Sequence, residues 1–149
     1  MTVITRPAVL ISLCLALATT AFAHSGVRNH AVMMRMEAML SSKKAIDRLV
    51  SMVKGQTAFD AASAGAAQQA LMTQMKATPD LFREKQTDPK SEARPLIWDN
   101  WQDFERKSNS AYLATAALDT QSLEGLRSTL LNLGISCLDC HQVYREGHH

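Results

Sequence analysis

"LEGLRSTLLNLGISCLDCHQVY", residues 123–144, places Leu123, Leu126, Leu130, Leu133, Cys137, Cys140 and Tyr144 at steps that alternate between three and four. This spacing is the seam of a helix packed in a bundle. Partway along, the seam changes from leucine to thiol. The predicted helix starts after Asp119 or Thr120 and runs to about Glu146.

Three more helices can be bracketed upstream. The first is expected from about Val27 to Lys54, stopped by Gly55 as a C′ glycine. Its stripe is Val32, Met36, Met39, Ile46, Val50 and Val53, with Lys43 as a polar break. The second is expected from Asp60 to Thr78, ended by Pro79, with an Ala-rich face around Ala66, Ala70, Leu71 and Met75. A polar connection from Asp80 to Arg94 leads to a third helix that starts near Pro95. Its stripe is Ile97, Trp101, Phe104, Ser108, Ala111, Thr115 and Leu118. Strand patterns are absent, and Ala, Leu, Met, Gln, Lys and Glu are good helix formers. The fold class read from this is all-α, an antiparallel four-helix bundle.

The N-terminus reads MTVITRPAVLISLCLALATTAFA. Arg6, an apolar run from Ala8 to Ala18 and Ala21-Phe22-Ala23 form a secretory signal, with cleavage expected after Ala23. Residues 1–23 are thus assigned to the signal and 24–149 to one domain. With 16 basic and 14 acidic residues the chain has no basic stripe, so nucleic acid is not expected as a partner. An exported protein uses cysteines for disulfides between distant segments. Here, of three cysteines, Cys14 falls in the signal, and the remaining pair is local.

Cys137, Cys140 and His141 stand at i, i+3 and i+4, so a helix puts all three on one face. Two thiols at that spacing can each add to one vinyl group of a haem, and the adjacent imidazole can reach the iron from the same side. This is the c-type haem attachment pattern, with His141 as proximal ligand and one haem c per chain, covalent through Cys137 and Cys140. Three rivals share the residues. A thioredoxin-like pair belongs beside a βαβ unit, which the pattern lacks. A zinc site needs four ligands, with only His148 and His149 as nearby supplements. The third is a plain local disulfide. Gly134 reads either as room for the haem edge or as a tolerated helix glycine.

The motif Gly134-x-Ser136-Cys137-x-x-Cys140-His141-x-x-Tyr144-Arg145 at the end of the chain resembles that of the class II c-type cytochromes, which include the cytochromes c'. Arg35-x-x-x-Met39, Val53-Lys54-Gly55-Gln56, Phe59-Asp60 and Ala93-Arg94-Pro95-x-Ile97-Trp98 are similar to the same family. The resemblance implies a four-helix bundle around one haem, a periplasmic location, and a homodimer as an option through the first two helices.

The face of the iron opposite His141 sets the chemistry. At about 100° per residue, Arg35 and Met36 lie within about 60° of Met39 on a helix, while His30 lies about 180° away, where a solvated role fits it. The resemblance places the second ligand of low-spin, methionine-ligated members at Met39, four residues after Arg35. Met39 as a core side chain is the alternative. Arg35 is expected to face the haem propionates. Glu92, Arg94, Phe82 and Arg145 are carried from the resemblance as neighbours of the haem. Trp98 and Trp101 read as core or rim. No nucleophile–base pair is visible, so a non-enzymatic role is expected: single-electron transfer between periplasmic or membrane redox proteins. Capture of small gases such as nitric oxide or carbon monoxide by a five-coordinate haem is the alternative.

Overall fold

A computed structural model describes residues 26–147; the expected signal segment, with its expected cleavage after Ala23, and His148 and His149 lie outside the described residues. Five helices follow one another: α1 His30–Val53, α2 Ala61–Phe82, α3 Leu96–Asp99, α4 Trp101–Ala116 and α5 Leu123–Tyr144. The four long ones form the expected antiparallel bundle. Helix α2 packs between α1 and α4, α5 packs on α4, and α5 meets α1 more sparsely. None of the described helices is long and apolar enough to cross a membrane.

Local chemistry sets the starts. Asn29 caps α1 by accepting from the Val32 N–H at 3.1 Å. Asp60 caps α2 through Ser63, and Ser122 caps α5 through Gly125. Each satisfies an amide that the first helical turn leaves without a partner. Gly55 ends α1 with φ +70°, the left-handed conformation that glycine adopts freely, and its N–H donates to the Met52 carbonyl.

Helix α1 starts at His30 rather than near Val27, and the bounds of the other helices differ as well. Helix α2 does not stop at Pro79 but continues through it to Phe82. Proline has no N–H, so the Met75 carbonyl loses its helical donor. Ser108 Oγ, from α4, donates to that carbonyl at 3.4 Å instead. The serine in an otherwise apolar stripe therefore serves a neighbouring helix. The third helix begins at Leu96, just after Pro95 and near its expected start, but breaks at Asn100, whose φ of −129° and ψ of 51° separate the single turn of α3 from α4. Helix α5 begins at Leu123 and ends at Tyr144, inside its expected span. Arg145 is extended and forms an isolated antiparallel bridge with Ala93.

Two buried clusters occupy the two ends of the bundle. One contains Ala45, Leu49, Met52, Ala64, Ala67, Leu71, Leu118, Leu126 and Leu133. The other is aromatic: Phe82, Ile97, Phe104 and Tyr144. Small residues on α2 let α1 approach closely, while the aromatic end is built from larger side chains. The seam positions Leu126, Leu133 and Tyr144 are among the most buried residues of α5, as the spacing predicts.

Candidate functional site

A cavity of about 630 Å³ opens between the two clusters. All four long helices line it. Helix α1 gives Arg35, Met36 and Met39; α2 gives Met75 and Phe82; α4 gives Phe104 and Lys107; α5 gives Cys137, Cys140, His141 and Tyr144. The leucine-to-thiol change along the α5 seam is the point where that helix leaves the packed core and meets the cavity.

Cys137 and Cys140 are free thiols, so the local disulfide is not formed. Burial pushes both thiols up, Cys140 to about 11. A dithiol redox pair is activated by the opposite shift. Among the described residues no group of three or more His, Cys, Asp or Glu side chains could hold a metal ion, which leaves zinc without a site there. Burial, and then the charge of Arg145, holds His141 below its ordinary pKa, with Glu92 opposing. A neutral imidazole keeps the lone pair that a metal ligand needs. Two thiols and an imidazole on one wall of an apolar cavity of this size fit a covalently attached planar macrocycle.

The remaining expected site residues divide. Met39, Phe82, Glu92 and Arg145 line the cavity, and Met39 packs with Cys140 against the aromatic cluster. Arg94 is not part of the lining. Its N–H donates to the Tyr144 carbonyl at 2.9 Å and its guanidinium to the Val143 carbonyl at 3.2 Å. With Glu146 N–H donating to the Glu92 carbonyl and Arg145 Nε to the Glu92 carboxylate at 2.6 Å, residues 92–94 clamp the end of α5. Trp98 and Trp101 pack at the rim of the aromatic cluster, and His30 is exposed.

Arg35 lines the cavity but is only 3% exposed, with a set of contacts the sequence did not suggest. Nε donates to the Leu81 carbonyl at 2.8 Å, one terminal nitrogen to Gln86 at 2.8 Å and the other to Glu84 at 2.6 Å. The guanidinium also lies 4.7 Å from the Phe82 ring centroid. It ties the chain leaving α2 to the second turn of α1, and Phe82 is held in the cavity wall as a result.

Sequence reasoning missed three residues here. Met75 enters the cavity from α2, a position read only as helix face. Lys107 pairs with Asp139 at 2.5 Å, beside Cys140. Asp103 accepts the Tyr144 hydroxyl at 2.6 Å. Both pairs join α4 to α5 over long stretches of chain, and no local pattern announces them.

The family model described as Cytochrome C' matches residues 30–145. The chain is 37% identical over 101 residues to cytochrome c-556 of Agrobacterium fabrum, covering 65% of this chain and 68% of that protein. It is 32% identical over 120 residues to cytochrome c' of Alcaligenes xylosoxydans xylosoxydans, covering 78% and 93%. The solved structure of a ferrous variant of cytochrome c prime from Alcaligenes xylosoxidans with bound NO superposes with a TM-score of 0.69 at 30% identity, covering 79% of this chain and 94% of that one. With that match spanning the whole bundle and the thiol pair facing its cavity, the chain belongs to the cytochrome c' family and carries one haem c, attached through Cys137 and Cys140.

Proposed function

We propose that this protein carries single electrons between redox partners in the periplasm, with the haem iron held between His141 and Met39. The observation that carries the reading is that Met39, on α1, lines the same cavity as His141, on α5, and packs with Cys140 against one cluster. The haem supplies a one-electron couple whose potential follows its ligands, its burial and the charges around it.

The chain's own residues do the rest. His141 is kept neutral and so able to ligate. The clamp of residues 92–94 on residues 143–146 holds the last turn of α5, which carries His141. Met39 would offer its thioether to the iron from α1, and a bound thioether would keep water and other ligands away. Among the cations of the lining, Arg35 is the buried one, and its acceptors are neutral carbonyls. Its charge is therefore available to the haem propionates. The apolar walls lower the dielectric around the macrocycle. The predicted signal sequence supports export, and the similarity to the c-556 cytochrome supports an electron carrier.

One observation favours a second reading. A similar cytochrome c prime was solved with bound NO. If Met39 is only a wall residue, the iron is five-coordinate and open to such a ligand.

The optical and spin-resonance spectrum of the ferric holoprotein separates the two. A low-spin spectrum that becomes high-spin in Met39→Leu, and stays low-spin in Met36→Leu and Met75→Leu, is the expected result. A high-spin wild type, or a spectrum indifferent to Met39→Leu, removes the carrier reading in this form.

A further inference from the structure

Tyr144 is buried at 3% exposure, lines the haem cavity and stands one turn beyond His141 on α5. Its hydroxyl donates to Asp103 Oδ2 at 2.6 Å, a short bond to a carboxylate. The other oxygen of Asp103 accepts from the exposed Arg106, and the Asp103 side chain is itself 17% exposed, so the carboxylate borders the solvent. A phenol loses an electron far more readily when its proton can leave at the same time. Here a base is already in hydrogen-bond contact and has a route to water. The phenol ring is itself packed edge-on to Phe104 at 5.4 Å, which isolates it from bulk solvent.

We infer that Tyr144 and Asp103 form a redox-active tyrosine site, which gives the haem one electron when a peroxide has oxidised it. Reduction of a peroxide O–O bond at the haem takes two electrons and two protons. The haem gives both electrons at first, and Tyr144 then returns one of them. In that step the Tyr144 O–H bond breaks. The electron goes to the haem and the proton to the Asp103 carboxylate, leaving a neutral phenoxyl radical and a neutral carboxylic acid. The radical is refilled by the same class of one-electron donors that reduces the haem. The benefit lies in the neighbouring side chains: Met36, Met39 and Met75 line the same cavity, and thioethers are easily oxidised to sulfoxides. The tyrosine draws the oxidising equivalent away from them, towards α4 and the surface. The inference needs the haem that the family carries, and it needs the iron face on the Met39 side to be open to the peroxide, either because Met39 does not bind there or because its thioether gives way.

The chain has only two tyrosines, Tyr112 and Tyr144, so the test is clean. Ferric holoprotein is mixed with hydrogen peroxide, frozen within milliseconds to seconds, and read by electron spin resonance. A tyrosyl signal is expected in wild type and in Tyr112→Phe, and its loss in Tyr144→Phe. Asp103→Asn, which keeps an acceptor but not a base, should lower the radical yield several-fold with an unchanged ferric spectrum. Mass spectrometry of the treated protein should find more methionine sulfoxide at the cavity positions in Tyr144→Phe than in wild type. Absence of a tyrosyl signal in wild type overturns the inference, as does a signal that survives Tyr144→Phe. If Tyr144→Phe does not retain haem, Asp103→Asn decides alone, and a radical yield equal to wild type overturns it.

Discussion

Ser108 Oγ donates to the Met75 carbonyl at 3.4 Å, and that carbonyl is the one Pro79 deprives of its helical donor. A defect within one helix is thus repaired by the next. Ser108→Ala leaves a buried carbonyl without a partner and is expected to cost about 1 kcal/mol in the urea unfolding of the holoprotein. In a Pro79→Ala background the new amide can serve Met75. Ser108→Ala should then cost clearly less, and equal costs in both backgrounds would show that the two sites are independent.

The bundle, the position of the haem motif and the orientation of the thiols were legible because they rest on local periodicity. Leu126, Leu133, Cys137 and Tyr144 need only their spacing to be placed on one face. Pro79 was misread for the opposite reason. A proline ends a helix unless something distant satisfies the freed carbonyl, and Ser108 lies 33 residues away in sequence. Arg35 was expected to face the haem propionates; it lines the cavity, and its bonds to residues 81, 84 and 86 depend on how the chain turns after α2, which no local pattern gives. The Asp103–Tyr144 pair, 41 residues apart, has no sequence signal at all.

Arg35 makes its three bonds with a planar fork that an ammonium cannot reproduce. Arg35→Lys should leave at least one buried carbonyl without a donor and lose about 2 kcal/mol or more of stability. Arg48→Lys, at an exposed position of the same helix, should stay within about 0.5 kcal/mol of wild type. Equilibrium unfolding of the two holoproteins by urea makes the comparison. A loss in Arg35→Lys no larger than in Arg48→Lys would mean that the carbonyl cradle contributes little.

Burial, followed by the hydrogen bond and charge of Asp103, raises the Tyr144 hydroxyl above its ordinary pKa. The folded protein therefore keeps the proton at pH values where the unfolded chain has lost it. The stability this brings is fully present below about pH 10, the ordinary tyrosine value, and declines as pH rises above it. Unfolding measured at steps between about pH 9 and 11 should show a falling limb in wild type. The limb should be shallower in Tyr144→Phe, which has no proton to lose. Parallel limbs would exclude Tyr144 as the group responsible.

Gly134 reads either as room for the haem edge or as a tolerated helix glycine, and a substitution separates the two. The residue is exposed and is not part of the cavity lining, and a Cβ built there meets nothing within 4 Å. No protein neighbour therefore requires glycine, and α5 bears the entropic cost of the residue in its middle. Gly134→Ala should stabilise the holoprotein by about 0.5–1 kcal/mol, the difference in helix propensity between the two residues. The ferric spectrum should not change. A destabilised variant, or a shifted spectrum, would instead place the haem edge against this position. In that case glycine is kept for room, and the helix penalty is a consequence of the cofactor lying closer to α5 than the cavity walls indicate.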